Sequence, residues 1–260
     1  MFRARCILPT ILAASLSSFV LAQHQGDVLL DVTSDASPRI RTNLIDDVTF
    51  EVTPDVRVFT GMFDLLAGEY FTDEPGFDSL PGTFSPTSSI RFTIRRALRI
   101  WQSNNLDTIP PSHLLISFAS LGPVATPMTD IPVPGFSLPV GSNGEWHRHL
   151  EYTLSEPADP GVYVLELDLA CTDDAVAPSR PFWLVFGQAA TPADVDAAVE
   201  FIQRNLVCPA DFNADGVSDT RDFFAFLSAF FSDDADFNHD GFTNSQDFFE
   251  FLAAFFTGCP

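Results

Sequence analysis

Apolar and polar residues alternate along much of residues 23–190, and the alternation is clearest from Val162 to Leu169. There Val162, Val164, Glu166 and Asp168 point to one side of an extended chain, and Tyr163, Leu165, Leu167 and Leu169 to the other. That is the period of a half-buried strand. Comparable runs predict strands over residues 27–32, 45–52, 56–63, 89–94, 114–120, 147–154, 162–170 and 182–186. Joints such as Glu74-Pro75-Gly76, Leu80-Pro81-Gly82 and Asp159-Pro160-Gly161 separate them, because proline and glycine punctuate regular structure. Short strands broken in this way predict an antiparallel β-sandwich or jelly roll. Residues 95–101 fit a strand continuation and a brief helix equally.

The period changes after residue 190. Thr191-Pro192 supplies an N-cap and a first-turn proline, with Asp194 at the third helical position. Val195, Val199, Ile202 and Leu206 then share one face, so a connecting helix is predicted over 191–207, packed on the sandwich. Beyond it a helical pattern appears twice. Phe223, Phe224, Phe226, Leu227, Phe230 and Phe231 recur 25 residues later as Phe248, Phe249, Phe251, Leu252, Phe255 and Phe256. The doubled phenylalanines widen the apolar face beyond one stripe. Core packing and an exposed docking surface, which contiguous apolar patches often mark, both account for them.

Each helix follows an acidic loop, and loop and helix repeat together. Residues 211–231 and 236–256 are identical at 13 of 21 positions. Ca2+ takes about six to eight oxygens at about 2.3–2.6 Å, so a short loop must offer one at nearly every second residue, with a glycine at the sixth position for the sharp turn. In the first loop, positions 1, 3, 5, 7, 9 and 12 are Asp211, Asn213, Asp215, the Val217 carbonyl, Asp219 and Asp222. In the second they are Asp236, Asn238, Asp240, the Phe242 carbonyl, Asn244 and Asp247. Gly216 and Gly241 occupy the sixth positions. A single such loop could be an Asp/Asn-rich turn capping the next helix. Two in register, each closing on an acid, predict two Ca2+ sites.

Two loop-then-helix units that lack the helix preceding an ordinary EF-hand loop, and that carry Asp at position 12, resemble a type I dockerin. The terminal Gly258-Cys259 is similar to the bacterial GC-type variant. The resemblance covers residues 208–260 and implies a small α-helical module of two F-hand repeats with structural calcium. It also implies a partner, a cohesin-like domain of a scaffold or surface protein, recognised largely at loop positions 10 and 11. Those positions are Thr220 and Arg221, and Ser245 and Gln246; many dockerins carry a Ser/Thr pair there, from which Arg221 and Gln246 depart.

At the other end, Arg3 and Arg5 precede an apolar run to Leu21 and a Val20-Leu21-Ala22 cleavage site, so residues 1–22 are expected to be an export signal. No later stretch approaches the roughly 20 apolar residues of a membrane-spanning helix. The expectation is a secreted or cell-surface protein. Cleavage removes Cys6 and leaves Cys171, Cys208 and Cys259. Cys208 and Cys259 bracket the repeat pair, each followed by proline, and a disulfide between them would staple a very small domain. Closing that loop contributes on the order of 4 kcal/mol in the chain-entropy model. Formal net charge is −22, and without Arg3 and Arg5 it stands near −24. Lysine is absent and all 13 cations are arginine. Such a balance excludes nucleic acid, whose binding rests on neutralised phosphates.

Within the β region, Trp146-His147-Arg148-His149 places two histidines at i and i+2, on one face of a strand. With His24 as a third ligand they suit Zn2+ or Cu2+. This region also resembles domains of uncharacterised exported bacterial proteins at Pro75-Gly76-Phe77-Asp78, Gly141-Ser142-Asn143-Gly144 and residues 146–150. Glycosidases need paired carboxylates; Glu145 and Glu151 are among the many acids here, and spacing alone pairs none. GxSxG and HExxH motifs are absent. The reading leans to a non-catalytic β domain, with two alternatives. One is a carbohydrate-binding module stacking Trp101, Trp146 or Trp183 on polysaccharide. The other is a metal-binding or hydrolytic domain centred on His147 and His149.

Overall fold

The computed structural model describes residues 26–34, 38–46, 48–212, 218–233, 235, 237–238 and 242–258. The expected signal segment, residues 1–22, lies outside them. The chain is mainly β, and its spine is the strand Gly161–Cys171. One edge of this strand pairs antiparallel with Phe182–Gln188 along nearly the whole length of that partner. Its other edge is shared, with Arg99–Gln102 opposite Tyr163 and Val164 and Ser89–Ile94 opposite residues 167–171. Val58–Met62 extends the sheet by a parallel pairing with Phe182–Gln188, and Val133–Pro139 extends it beyond Ser89–Ile94. A second sheet runs Val52–Thr53, Ile40–Ile45, Asp27–Val32, Phe77–Ser79. The third runs Leu121–Ala125, Leu114–Phe118, Glu151–Leu154, Glu69–Thr72, Asp64–Leu66.

All three sheets contribute to one core, as in a β-sandwich. Val28, Leu30 and Ile40 come from the second sheet, Ile116, Tyr152 and Leu154 from the third, and Phe59, Leu165, Leu167, Leu184 and Phe186 from the first. The strand over 161–171 departs from the half-buried expectation. Tyr163, Leu165, Leu167 and Leu169 enter the common core, while Val162 and Val164 join Trp183 and Val185 in a second cluster on the outer face. A helix covers that face. Strands buried on both sides read as nearly continuous apolar runs, which is what Phe182–Phe186 and the valines of 162–164 supply.

That covering helix is α1, Pro192–Ile202, followed by one π-helical turn, Gln203–Val207. Thr191 and Asp194 form a reciprocal capping box at its start. Val195, Ala198 and Ile202 are buried against the outer face of the sheet. The expected Val199 and Leu206 pack at its border. Arg57 fixes the far end: its Nε donates to the Pro181 carbonyl at 2.7 Å and its Nη1 to the Val207 carbonyl at 3.0 Å. Burial and the neighbouring Arg180 lower the Arg57 pKa to about 10, so it stays charged at neutral pH. Replacing Thr191 with alanine removes half of the capping box and is expected to cost about 1 kcal/mol in urea denaturation.

Two expectations are corrected. The strand expected over 45–52 is instead a turn, described at residues 46 and 48–51, that joins Ile40–Ile45 to Val52–Thr53. The Asp46 carboxylate accepts the amides of Val48 and Thr49 at 2.9 and 2.7 Å, and Phe50 adopts a φ of 57°. Asp side chains compete with sheet pairing through such local bonds, and Val48 and Phe50 stay exposed. Residues 147–150 are likewise outside any strand. They touch the second sheet through a single bridge from Arg148 to Phe77, and regular pairing begins only at Glu151. The undecided stretch 95–101 resolves as an irregular crossing that becomes strand at Arg99.

Candidate functional site

The duplicated tail folds as two helices, each started by its own loop. Helix α2, Thr220–Phe230, has Asp219 as N-cap; α3, Ser245–Thr257, has Asn244. In both, the position-12 aspartate completes the capping box from N3, with Asp222 accepting from the Asp219 amide at 2.7 Å and Asp247 from the Asn244 amide at 2.8 Å. Asp222 and Asp247 are wholly buried. Asp247 also reaches back to the start of its loop, accepting the amides of Phe237 and Asn238 at 2.8 and 3.2 Å. A buried carboxylate is costly unless charge or hydrogen bonds compensate it. Here backbone donors hold each acid at the closing position of an oxygen-rich loop, and such an all-oxygen donor set suits a hard cation.

Packing between the units respects the duplication. Phe226 and Phe251, equivalent under the 25-residue offset, stack at 4.1 Å with planes 5° apart. Phe212 meets both rings edge-on, at 5.3 and 5.9 Å, and its counterpart Phe237 does the same at 6.2 and 5.6 Å. Phe223 with Phe255 and Phe230 with Phe248 are one contact seen twice. Exchanging the copies therefore leaves the interface unchanged. The second phenylalanine of each doublet points outward: Phe224 and Phe249 are each 66% exposed, and Phe231 and Phe256 are 82% and 81%. Core packing thus accounts for one set of rings and leaves the other set exposed.

Other predicted residues fall as follows. Asp211 is buried, Asn238 half-buried and Phe242 exposed, while Asn213, Asp215, Val217, Asp236 and Asp240 lie outside the described residues. Thr220, Arg221, Ser245 and Gln246 are exposed at the helix starts. The Arg221 guanidinium turns back onto Asp219 at 2.8 Å and holds that carboxyl below the usual carboxylate range. Gln246 instead donates to Glu250 at 2.8 Å. Cys208 is disulfide-bonded and Cys171 carries a free thiol, so Cys171 is not its partner. Cys259, the expected partner, lies outside the described residues.

His147 and His149 do share a side, their ring centroids 5.1 Å apart. His24, the expected third ligand, lies outside the described residues. What surrounds the two imidazoles instead is carboxylate. His147 Nδ1 is 3.4 Å from Asp78, while His149 Nδ1 is 3.5 Å from Glu74 and its Nε2 is 3.9 Å from Asp27. Asp27, Glu74 and His149 form the one group of three among the described residues whose donor atoms all lie within 4.8 Å of one another. Pairing of Asp27–Val32 with Phe77–Ser79 sets the two carboxylates side by side, and the Phe77–Arg148 bridge brings up the histidines. No periodicity linked Asp27 and Glu74 to the histidines, although Pro75-Gly76-Phe77-Asp78 flagged the segment.

No protein-family model matches the chain. No curated protein matches it either. The dockerin resemblance thus rests on the residues of the two repeats. The remaining candidates lose ground on geometry. Trp146 and Trp183 are buried, so neither presents an open face for sugar stacking, and Trp101 is half-buried against the Phe201 ring at 5.2 Å. Glu145 accepts a local bond from Asn143, and Glu151 accepts one across the sheet from Ser117. Glu166 is buried, ion-paired to Arg96 at 2.8 Å, and its pKa is raised by that burial. It lines a cavity of about 320 Å³ beneath α1, which also includes Arg99, Asn205 and Phe237. Among the described residues, no helix is long and apolar enough to cross a membrane.

Proposed function

We propose that this is an exported, non-catalytic β protein held to a cohesin-bearing scaffold or surface assembly by a calcium-loaded C-terminal module. One observation carries the reading: two repeats with buried position-12 aspartates pack as interchangeable halves while presenting matched pairs of exposed phenylalanines. Asp211, Asn213, Asp215, Val217, Asp219 and Asp222 would hold one Ca2+, and Asp236, Asn238, Asp240, Phe242, Asn244 and Asp247 the other. The ions would supply no chemistry beyond neutralising crowded carboxylates and fixing the loops. Ordered loops set the angle between α2 and α3, and with it the spacing of Phe224 and Phe231 from Phe249 and Phe256. Thr220, Arg221, Ser245 and Gln246 would flank that face and select the partner. Solvent-facing aromatics of this kind are favoured anchors in protein interfaces.

Affinity capture from the native cell envelope, run in calcium and in EDTA, tests the proposal. A cohesin-bearing protein is expected in calcium only. Replacing Phe224, Phe231, Phe249 and Phe256 with serine should abolish its capture while leaving the far-ultraviolet circular dichroism unchanged, since exposed positions contribute little to stability. Capture that survives the fourfold replacement, or that ignores EDTA, contradicts the proposal.

A further inference from the structure

We propose that Asp27, Glu74 and His149 form a binding site for one borderline divalent cation, with zinc the best match. The proposal is independent of the C-terminal module and rests on how the three side chains are held. The Gly76 amide lies between the two carboxylates, 2.7 Å from Asp27 Oδ1 and 3.0 Å from Glu74 Oε2. One oxygen of each acid is thereby fixed, and the other, Asp27 Oδ2 or Glu74 Oε1, is the atom nearest His149. On the imidazole, Nδ1 lies 3.2 Å from the Asp73 carbonyl. Donation to that carbonyl leaves Nε2 as the lone-pair nitrogen, on the side of Asp27. Metal-binding histidines characteristically use one nitrogen on the metal and the other on a backbone carbonyl or carboxylate.

The spacing suits a small ion. Ligands on zinc at about 2.0–2.2 Å in a tetrahedral array stand roughly 3.3–3.5 Å apart. From the lone-pair nitrogen Nε2 the Asp27 carboxylate stands 3.9 Å away, and the three donor atoms all lie within 4.8 Å of one another, so the set must draw in by roughly 1 Å. Gly76 is required for the approach, because a Cβ there would meet the His149 ring at 2.5 Å. Two carboxylates beside a neutral imidazole carry two negative charges that a divalent cation cancels, and the histidine favours zinc over calcium, which takes oxygen. A further observation points to the same place. Among the described residues the hydroxyl of Tyr152 is wholly buried without a hydrogen-bond partner, and Glu74 and Asp27 are the charges that act on it. An orphaned buried hydroxyl beside two carboxylates and an imidazole fits a site that takes up an ion and its water. His147, paired with Asp78, stands beside the cluster but outside the group of three.

Zinc titration by calorimetry decides the matter, using the full mature protein stripped of metal and then saturated with calcium to fill the C-terminal loops. One zinc ion per chain is expected, and cobalt substitution should give the visible absorption of a low-symmetry, nitrogen- and oxygen-bound ion. His149→Ala should abolish this binding, and Glu74→Gln, close in size, should weaken it at least about tenfold. Glu74→Gln keeps the test decisive if His149→Ala does not fold. No zinc uptake under calcium saturation, or uptake equally tight in Glu74→Gln, overturns the proposal.

Discussion

Replacing Asp247 with alanine is expected to destabilise the C-terminal module by on the order of 4 kcal/mol and to remove one of two bound calcium ions. Three amides, those of Phe237, Asn238 and Asn244, converge on this wholly buried carboxylate. Hydrogen bonds to a charged group contribute about 1.5–3 kcal/mol each, and partial rescue by water lowers the sum. Alanine removes the acceptor, the N3 half of a capping box and the closing calcium ligand at once. Asp222→Ala should act in the same way on the first loop, since Asp222 caps α2 as Asp247 caps α3. Urea denaturation followed by circular dichroism, with calcium calorimetry on the same variants, checks both effects. Full stability with two ions still bound would show that these acids are only caps.

The second large effect is expected at the stacked pair. Phe251→Ala removes a wholly buried ring that touches Phe226, Phe212, Phe237 and Phe255. Phenylalanine-to-alanine changes in a core typically cost about 3–5 kcal/mol, combining lost transfer energy with the cavity left behind. A module whose own core comprises few fully buried side chains, Phe226, Ala235 and Phe251 among those described, has little reserve against such a loss. Phe256→Ala, five residues along the same helix but 81% exposed, should change stability by less than about 0.5 kcal/mol. The contrast separates packing rings from presented rings. Comparable losses at both positions in thermal denaturation would mean that the exposed phenylalanines are covered in solution.

Much of this architecture was legible because it is local. Helix α1 was announced by Thr191-Pro192 and Asp194, and its capping box formed as the sequence suggested. Ser89–Ile94 coincides with its predicted strand because its alternation reflects a buried and a more open face, and Asp27–Val32 coincides as a short apolar run buried in succession at Val28, Leu29 and Leu30. The short edge strands Asp64–Leu66 and Leu121–Ala125 escaped because they are almost entirely exposed and so carry no alternation. Residues 45–52 misled for the opposite reason: Val48, Phe50 and Val52 alternate like a strand, yet the Asp46 side chain captures the backbone amides first. Periodicity measures burial and cannot register such local competition.

The candidate sites divide along the same line. In the tail, ligand spacing is contiguous in sequence, so every proposed oxygen could be named from the repeats. In the β domain, His147 and His149 were visible as a pair, but Asp27 and Glu74 reach them only through the pairing of Asp27–Val32 with Phe77–Ser79 and the Phe77–Arg148 bridge. Non-local pairing is invisible to a single sequence read by spacing. The tryptophans illustrate the reverse, since their number invited a sugar-binding reading that burial of Trp146 and Trp183 does not support.

Calorimetric titration of the metal-free mature protein with calcium tests the central claim most directly. Two ions per chain are expected, with one lost in Asp222→Ala and one in Asp247→Ala, and an accompanying gain of helical circular dichroism that EDTA reverses. Absence of calcium uptake, with α2 and α3 equally ordered in EDTA, would contradict the account and leave the repeats as capped helices alone.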